Sequence, residues 1–267
     1  MTALDQGTAE VYDAVGLARF GAAMLGPVLT LVRRHRGRVR RALDLACGAG
    51  AAAVHLAREG YQVVGVDRSE AMLARARERA AREGVQVTWL QQDMRELEVA
   101  PPVDLVTCLF DSVNHLLEPE DVRRTFRRVR QALAPGGLFV FDVTTISALA
   151  QEWGDATWIE ADTPEVFLAV TTDYSYDTAV LTLHLTGFVR QGEGYRRFQE
   201  VRRERGYPLH ELRRWLVGAG LSVVGAYDYP SLGAASEDGQ RVLFVARRRK
   251  GRRSAAEREG GRDDGRA

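Results

Sequence analysis

The chain predicts a doubly wound α/β fold: a seven-stranded, mostly parallel sheet with an antiparallel β segment inserted after the fifth strand. Three observations carry this. Apolar strand-like runs alternate with amphipathic helical stretches from residue 41 to residue 143, as a parallel sheet covered on both faces requires. A glycine turn, Gly48-Ala-Gly50, joins the first of these strands to the helix behind it. After residue 150 the alternation stops and the apolar period becomes two. With 267 residues, 45% hydrophobic and 27% charged, the chain holds one to two domains' worth of sequence at about 150 residues per domain. Collagen-like, disulfide-scaffold and disordered classes are excluded. No run of about 18 apolar residues occurs, and Met1 to Glu10 lacks the basic end and apolar stretch of a signal peptide. A soluble, cytoplasmic protein is therefore expected. Two cysteines, Cys47 and Cys108, make no disulfide framework.

Taken in order, Tyr12 to Arg41 reads as a helical cap over residues 1–40, with Val15, Phe20, Met24, Val28, Leu29 and Val32 apolar and a break at Gly26-Pro27. Arg41 to Ala46 is a strand, Ala51 to Glu59 a helix closed by Gly60, and Gln62 to Val66 a second strand. Ser69 caps a helix whose buried side carries Met72, Leu73, Ala76 and Ala80 and which stops at Gly84. Val85 to Leu90 and Val103 to Leu109 follow as strands. Val122, Phe126, Val129 and Leu133 share one face of a helix running from near Pro119 to before Pro135. Leu138 to Val143 is the fifth strand. In the insert, at about residues 151–207, Leu181, Leu183 and Leu185 alternate with Thr182, His184 and Thr186. A helix at Leu209, Leu212 and Leu216 and strands Leu221 to Tyr227 and Arg241 to Ala246 complete a domain over residues 41–246. Residues 247–267 hold nine basic and four acidic side chains and no aromatic; this tail reads as disordered. The remaining chain is mildly acidic, so nucleic acid is not the expected partner.

In an open parallel sheet the ligand sits beyond the carboxyl ends of the strands. The first such turn reads Asp44-Leu-Ala-Cys-Gly48-Ala-Gly50, where glycines admit a ligand to the backbone and a helix N-terminus follows. Gly48, Gly50 and Ala53 also fit the spacing of a dinucleotide turn. Asp67 ends the second strand, where a carboxylate can accept both hydroxyls of a ribose, and Asp93 ends the third. The fourth runs into Leu109-Phe110-Asp111-Ser112-Val113-Asn114-His115, an apolar-then-polar passage suited to a boundary between cofactor and substrate.

Five segments in order carry a family resemblance: Leu43 to Gly50, Val63 to Asp67, Gln91 to Met94, Asp104 to Phe110, and Leu133 to Val140. Over residues 40–246 the chain resembles the class I S-adenosylmethionine-dependent methyltransferases. The resemblance implies a Rossmann-like sheet and S-adenosylmethionine as cofactor. It places Asp44, Ala46, Cys47, Gly48 and Gly50 around the methionine end, Asp67 at the ribose, Asp93 and Met94 at the adenine, and Leu109 and Phe110 near the sulfonium, with Arg68 and Met72 also among the cofactor-binding residues. Tyr12 would fold over the cofactor. Ala46 departs from the glycine many members have there and limits how closely backbone approaches. The β insert is similar to the lid of small-molecule methyltransferases, including those that act on amino groups of sugars and metabolites.

A sulfonium is an activated leaving group, so such an enzyme chiefly aligns its acceptor and excludes water. Where the acceptor must lose a proton, His115 is the candidate base, and Asp111, Asn114 and His184 are candidates to orient substrate. No base or electropositive setting marks Cys47 or Cys108 as a nucleophile. No cluster has metal-ligand spacing, so no metal is expected. The leading expectation is methyl transfer to nitrogen or oxygen of a small molecule, away from membranes. An RNA or protein methyltransferase, supported by the tail and by Arg33 to Arg41, stays open. So do a nicotinamide-dependent oxidoreductase and a non-catalytic cofactor binder.

Overall fold

The computed structural model describes residues 11, 16–36 and 38–249. Tyr12 and residues 250–267 lie outside the described residues. Helix α1 (Leu17–His35) runs through Pro27 instead of breaking there. Met24, Leu25, Val28, Leu29, Leu31 and Val32 are all buried on one side of it. Burial at roughly 1.5–3 kcal/mol per side chain outweighs the ~3 kcal/mol cost of a proline inside a helix.

Behind it come β1 (Arg41–Leu45), α2 (Ala51–Arg58), β2 (Gln62–Asp67), α3 (Glu70–Arg82), β3 (Val87–Gln91), β4 (Val103–Cys108), α4 (Pro119–Ala132) and β5 (Leu133–Thr144). After the insert, α6 (Leu209–Gly218), β10 (Leu221–Asp228) and β11 (Arg241–Arg248) return to the same sheet. Its order is β10-β11-β5-β4-β1-β2-β3. The five strands β1 to β5 are mutually parallel, while β11 runs antiparallel to β5 and β10 to β11. The chain reverses its winding at β1, which has β4 on one side and β2 on the other; this is the switch point. Strand β11 reaches Arg248, so the first two residues of the expected tail belong to the sheet.

Alternation along each strand divides the core. Leu43, Phe139, Phe141 and Phe244 pack toward α4 and α6 with Phe126, Leu212 and Leu216. Their neighbours Ala42, Leu138, Val140 and Leu243 pack on the opposite face with α1 and α2. At Pro135-Gly136-Gly137 the pairing of β5 with β4 jumps from Val103–Leu133 to Leu105–Leu138, and Gly136 takes φ 78°. The expected turn is thus an irregularity within a longer strand.

The short helix α5 (Ile146–Gln151) carries no strong sequence signal beyond its cap, where Thr145 Oγ1 accepts from the Ala148 amide at 3.1 Å. It leads into a separate antiparallel sheet of β6 (Thr157–Asp162), β7 (Val166–Ser175), β8 (Val180–Gln191) and β9 (Gly194–Arg205). Val166, Leu168, Val170 and Leu185 on its inner face pack with Val11 from the N-terminal segment. Asn114 ties this sheet to the first. Its Nδ2 donates to the carbonyls of Thr144 (2.9 Å) and Arg205 (3.0 Å), and its Oδ1 accepts from the Thr144 amide (3.1 Å). The Arg205 amide donates in turn to the Asn114 carbonyl at 2.8 Å. Among the described residues no helix is long and apolar enough to cross a membrane.

Candidate active site

The turn after β1 is shaped by three left-handed residues, Ala46 (φ 55°), Gly48 (φ 51°) and Gly50 (φ 76°). For Ala46 this is a strained conformation, which is the physical reason a glycine suits that position. Gly50 has a second reason: a Cβ there would lie 2.7 Å from both Ala76 Cβ and Trp89 Cη2. Asp67 at the end of β2 braces the turn, its Oδ2 accepting from the Gly48 amide (2.8 Å) and its Oδ1 from the Ser69 amide (2.9 Å).

Asp44, 2% exposed, lies beneath the turn. Thr107 Oγ1 donates to its Oδ1 at 2.8 Å. Its Oδ2 is buried without a hydrogen-bond partner among the described residues. Burial pushes its pKa up to about 7, against the pull of the Thr107 hydroxyl. A buried carboxyl in a cavity wall can take a donor or balance a cation brought into that cavity. The methionine end of S-adenosylmethionine carries an ammonium, so the residues present fit it.

Between the carboxyl ends of β1, β4 and β5 and the inner face of the second sheet lies a cavity of about 460 Å³. Its floor includes Asp44, Ala46, Cys47, Leu109, Phe110, Asp111, His115 and Thr144, and its roof Leu168, Val170, Leu181, Leu183 and Leu185. Burial raises both cysteine thiols well above their ordinary value, so neither supplies a thiolate.

Phe110 (φ 63°) and Asp111 (φ 50°) form a second strained step. Asp142 of β5, fully buried, holds it by accepting from the amides of Phe110 (2.7 Å) and Asp111 (2.9 Å). Arg241 of β11 closes the arrangement, donating to Asp142 and, at 3.0 Å, to Asp111. His115 lines the same wall, and its Nδ1 lies 3.2 Å from the Arg203 carbonyl. A carbonyl only accepts, so Nδ1 carries the hydrogen and the neutral ring presents a lone pair at Nε2. Its surface is open to the cavity, and the loss of bulk solvent there lowers its pKa from 6.5, a trend that nearby Asp111 opposes.

Two expected substrate contacts are not in this cavity. The side chain of Asn114 is consumed by the clamp between the sheets. His184 is exposed on the outer face of β8, where Nε2 meets Asp173 Oδ2 at 3.0 Å; the cavity takes the leucine face of that strand. Asp93 is committed to Arg95, whose guanidinium reaches Oδ1 at 2.9 Å and Oδ2 at 2.7 Å and lowers the carboxyl's pKa. Arg68 is exposed, Met72 packs against Ala49, and Met94 packs on the main core; these lie toward the ends of β2 and β3, outside the cavity wall. Within the basic stretch from Arg33 to Arg41, Arg36 is engaged by Asp104 (2.6 Å) and the Gly136 carbonyl, which removes it from any free patch.

Sequence reasoning missed Arg202 and Glu204 of β9 and Arg241 of β11, all in the cavity wall. A signal existed. Glu200, Arg202 and Glu204 fall two apart on one face of β9, paired with Leu185, Leu183 and Leu181 of β8. Charges on a face that continues an apolar one require partners or a function.

A family described as a methyltransferase domain matches residues 42–137. A protein of Geobacillus sp. (strain WCH70) named as a candidate methyltransferase is 38% identical over 211 residues, 78% of this chain and 85% of that protein. An S-adenosylmethionine-dependent methyltransferase from Clostridium acetobutylicum superposes with TM-score 0.80 at 26% identity, covering 92% of this chain and 98% of that one. The S-adenosylmethionine-bound CalS10, an amino pentose methyltransferase from Micromonospora echinaspora, does so with TM-score 0.70 at 26% identity, covering 89% and 96%. With the seven-stranded sheet, the glycine turn over Asp44 and these relatives in agreement, the chain belongs to the class I S-adenosylmethionine-dependent methyltransferases and is an enzyme that uses that cofactor.

Proposed function

We propose that this enzyme methylates a nitrogen of a small-molecule acceptor held between its two sheets, an amino sugar being the class best supported. The observation that carries the reading is the cavity of about 460 Å³, within the usual range for small-ligand sites and roofed by the second sheet. That the related CalS10 is an amino pentose methyltransferase supports the same class. Asp44, Ala46, Cys47, Leu109 and Phe110 would hold the methionine end of the cofactor, and Asp67 with the ends of β2 and β3 the adenosine. Bound there, S-adenosylmethionine supplies an electrophilic methyl group whose bonding pair stays on sulfur. The chain's own residues do the rest. The leucine face of β8 excludes water, Asp111 sits at the polar end to orient the acceptor, and His115 Nε2 takes the proton that the nitrogen sheds.

The test is to incubate the purified enzyme with S-adenosylmethionine and paired acceptors, amino sugars beside their hydroxyl counterparts. S-adenosylhomocysteine release and the acceptor's mass are followed together. Methylation of amino sugars alone supports the reading. Turnover of the hydroxyl partners at equal rates refutes nitrogen selectivity, and turnover only of RNA or protein refutes a small acceptor.

A further inference from the structure

The polar end of the cavity contains more negative than positive charge. Asp111 and Asp142 share the guanidinium of Arg241. Arg202 is engaged by Glu200, Nε to Oε1 at 2.8 Å, with the Glu200 side chain only 3% exposed. That leaves Glu204, which lines the cavity from β9. The two guanidiniums that face it are already held by other carboxylates, and Asp111 and Asp142 face it as well. His115 lines the same cavity, where the charges of Asp111 and Arg202 act on it in opposite directions.

We infer that Glu204 selects a cationic amine as acceptor, its carboxyl receiving the nitrogen at the polar end of the cavity with His115 alongside. The inference rests on the reading of this cavity as the acceptor site. Burial and the charge of Asp111 raise the Glu204 pKa to about 8, so the carboxyl is protonated in the empty cavity at neutral pH. An acceptor entering as an ammonium ion brings the missing positive charge. Glu204 then releases its proton to solvent, and the carboxylate accepts hydrogen bonds from the ammonium. The one proton that the nitrogen must still lose passes to His115 Nε2, leaving a lone pair on nitrogen and an imidazolium beside Asp111. A hydroxyl acceptor of the same shape brings no charge and leaves Glu204 protonated. Residues Arg202 and Arg241 tune the site without being free to neutralise it.

The experiment uses full-length protein labelled with carbon-13 at the glutamate carboxyls, the Glu204 signal being assigned by its loss in Glu204→Gln. The signal is expected to titrate with a midpoint of about 8. Excess n-propylammonium should lower that midpoint by about one pH unit, a tenfold change in the dissociation constant, and n-propanol should leave it in place. A midpoint in the ordinary carboxylate range, no response to n-propylammonium, or an equal response to n-propanol each overturns the inference. Calorimetric titration with S-adenosylhomocysteine runs in parallel on both proteins. Equal binding shows that Glu204→Gln is folded and that the methyltransferase reading stands whatever the ammonium does. If S-adenosylhomocysteine binds neither protein while the ammonium response persists, the cofactor reading fails and the amine site remains.

Discussion

Beneath the first turn, Asp44 has one oxygen held by Thr107 and one without a hydrogen-bond partner among the described residues. With its pKa raised from 3.8 to about 7, the folded state binds an extra proton between those values. Its contribution to stability is therefore fully present below pH 3.8 and is lost as pH rises through 7, on the order of 4 kcal/mol over the range. Asp44→Asn removes the buried charge. The variant without ligand should melt at a higher temperature than the parent protein, by a margin that grows from pH 4 to pH 8, and should bind S-adenosylhomocysteine much more weakly. Melting curves and calorimetry read the two effects, and unchanged ligand affinity would remove Asp44 from the cofactor site. At His115 the pKa is lowered from 6.5, so the base stays deprotonated to more acid pH than a free imidazole. The part of the acid limb of the pH–rate profile that it sets is expected below pH 6.5. His115→Gln should remove the His115 part of that limb, leaving the part set by Glu204, and lower kcat by about 10²–10⁴. A profile unaltered by the substitution would show that no base acts there.

Elements were legible where one side chain's periodicity decides its burial. The continuous apolar runs of β1, β5 and β11 and the stripe of Val122, Phe126 and Val129 on α4 appear in the sequence because the sheet is covered on both faces and the helix on one. Pro27 misled because a local rule met a non-local term: the apolar side of α1 rests on the sheet and keeps the helix intact. The face of β8 was legible as an alternation, but which side meets the cavity was not, since the polar side carrying His184 and the leucine side are equally periodic. Asn114 is likewise ordinary as a turn residue and becomes a cross-link only when β5 and β9 arrive beside it. Asn114→Ala should cost about 2–4 kcal/mol, because it strands buried backbone groups on two elements. Urea denaturation measures this, and a loss below about 0.5 kcal/mol would mean the clamp contributes little.

At the scale of the molecule, two sheets with separate cores meet across one cavity, and its shape belongs to neither alone. Leu183 of β8 lies in the roof, opposite the strand ends that carry the turn residues. Leu183→Trp should fill acceptor space and raise the acceptor KM by about tenfold or more, while leaving S-adenosylhomocysteine affinity within about twofold. Equal losses of both would place the two ligands against the same part of the roof. By itself the sequence determined the strand and helix alternation, the glycine turn after the first strand and the cofactor these imply, because each depends on residues a few positions apart. Only the tertiary structure decided that Glu204, Arg202 and Arg241 join Asp111 and His115, and that Asn114 and His184 do not. Those residues are up to 130 positions apart, and a charge is given its partners, or left without them, by the neighbours that folding brings to it.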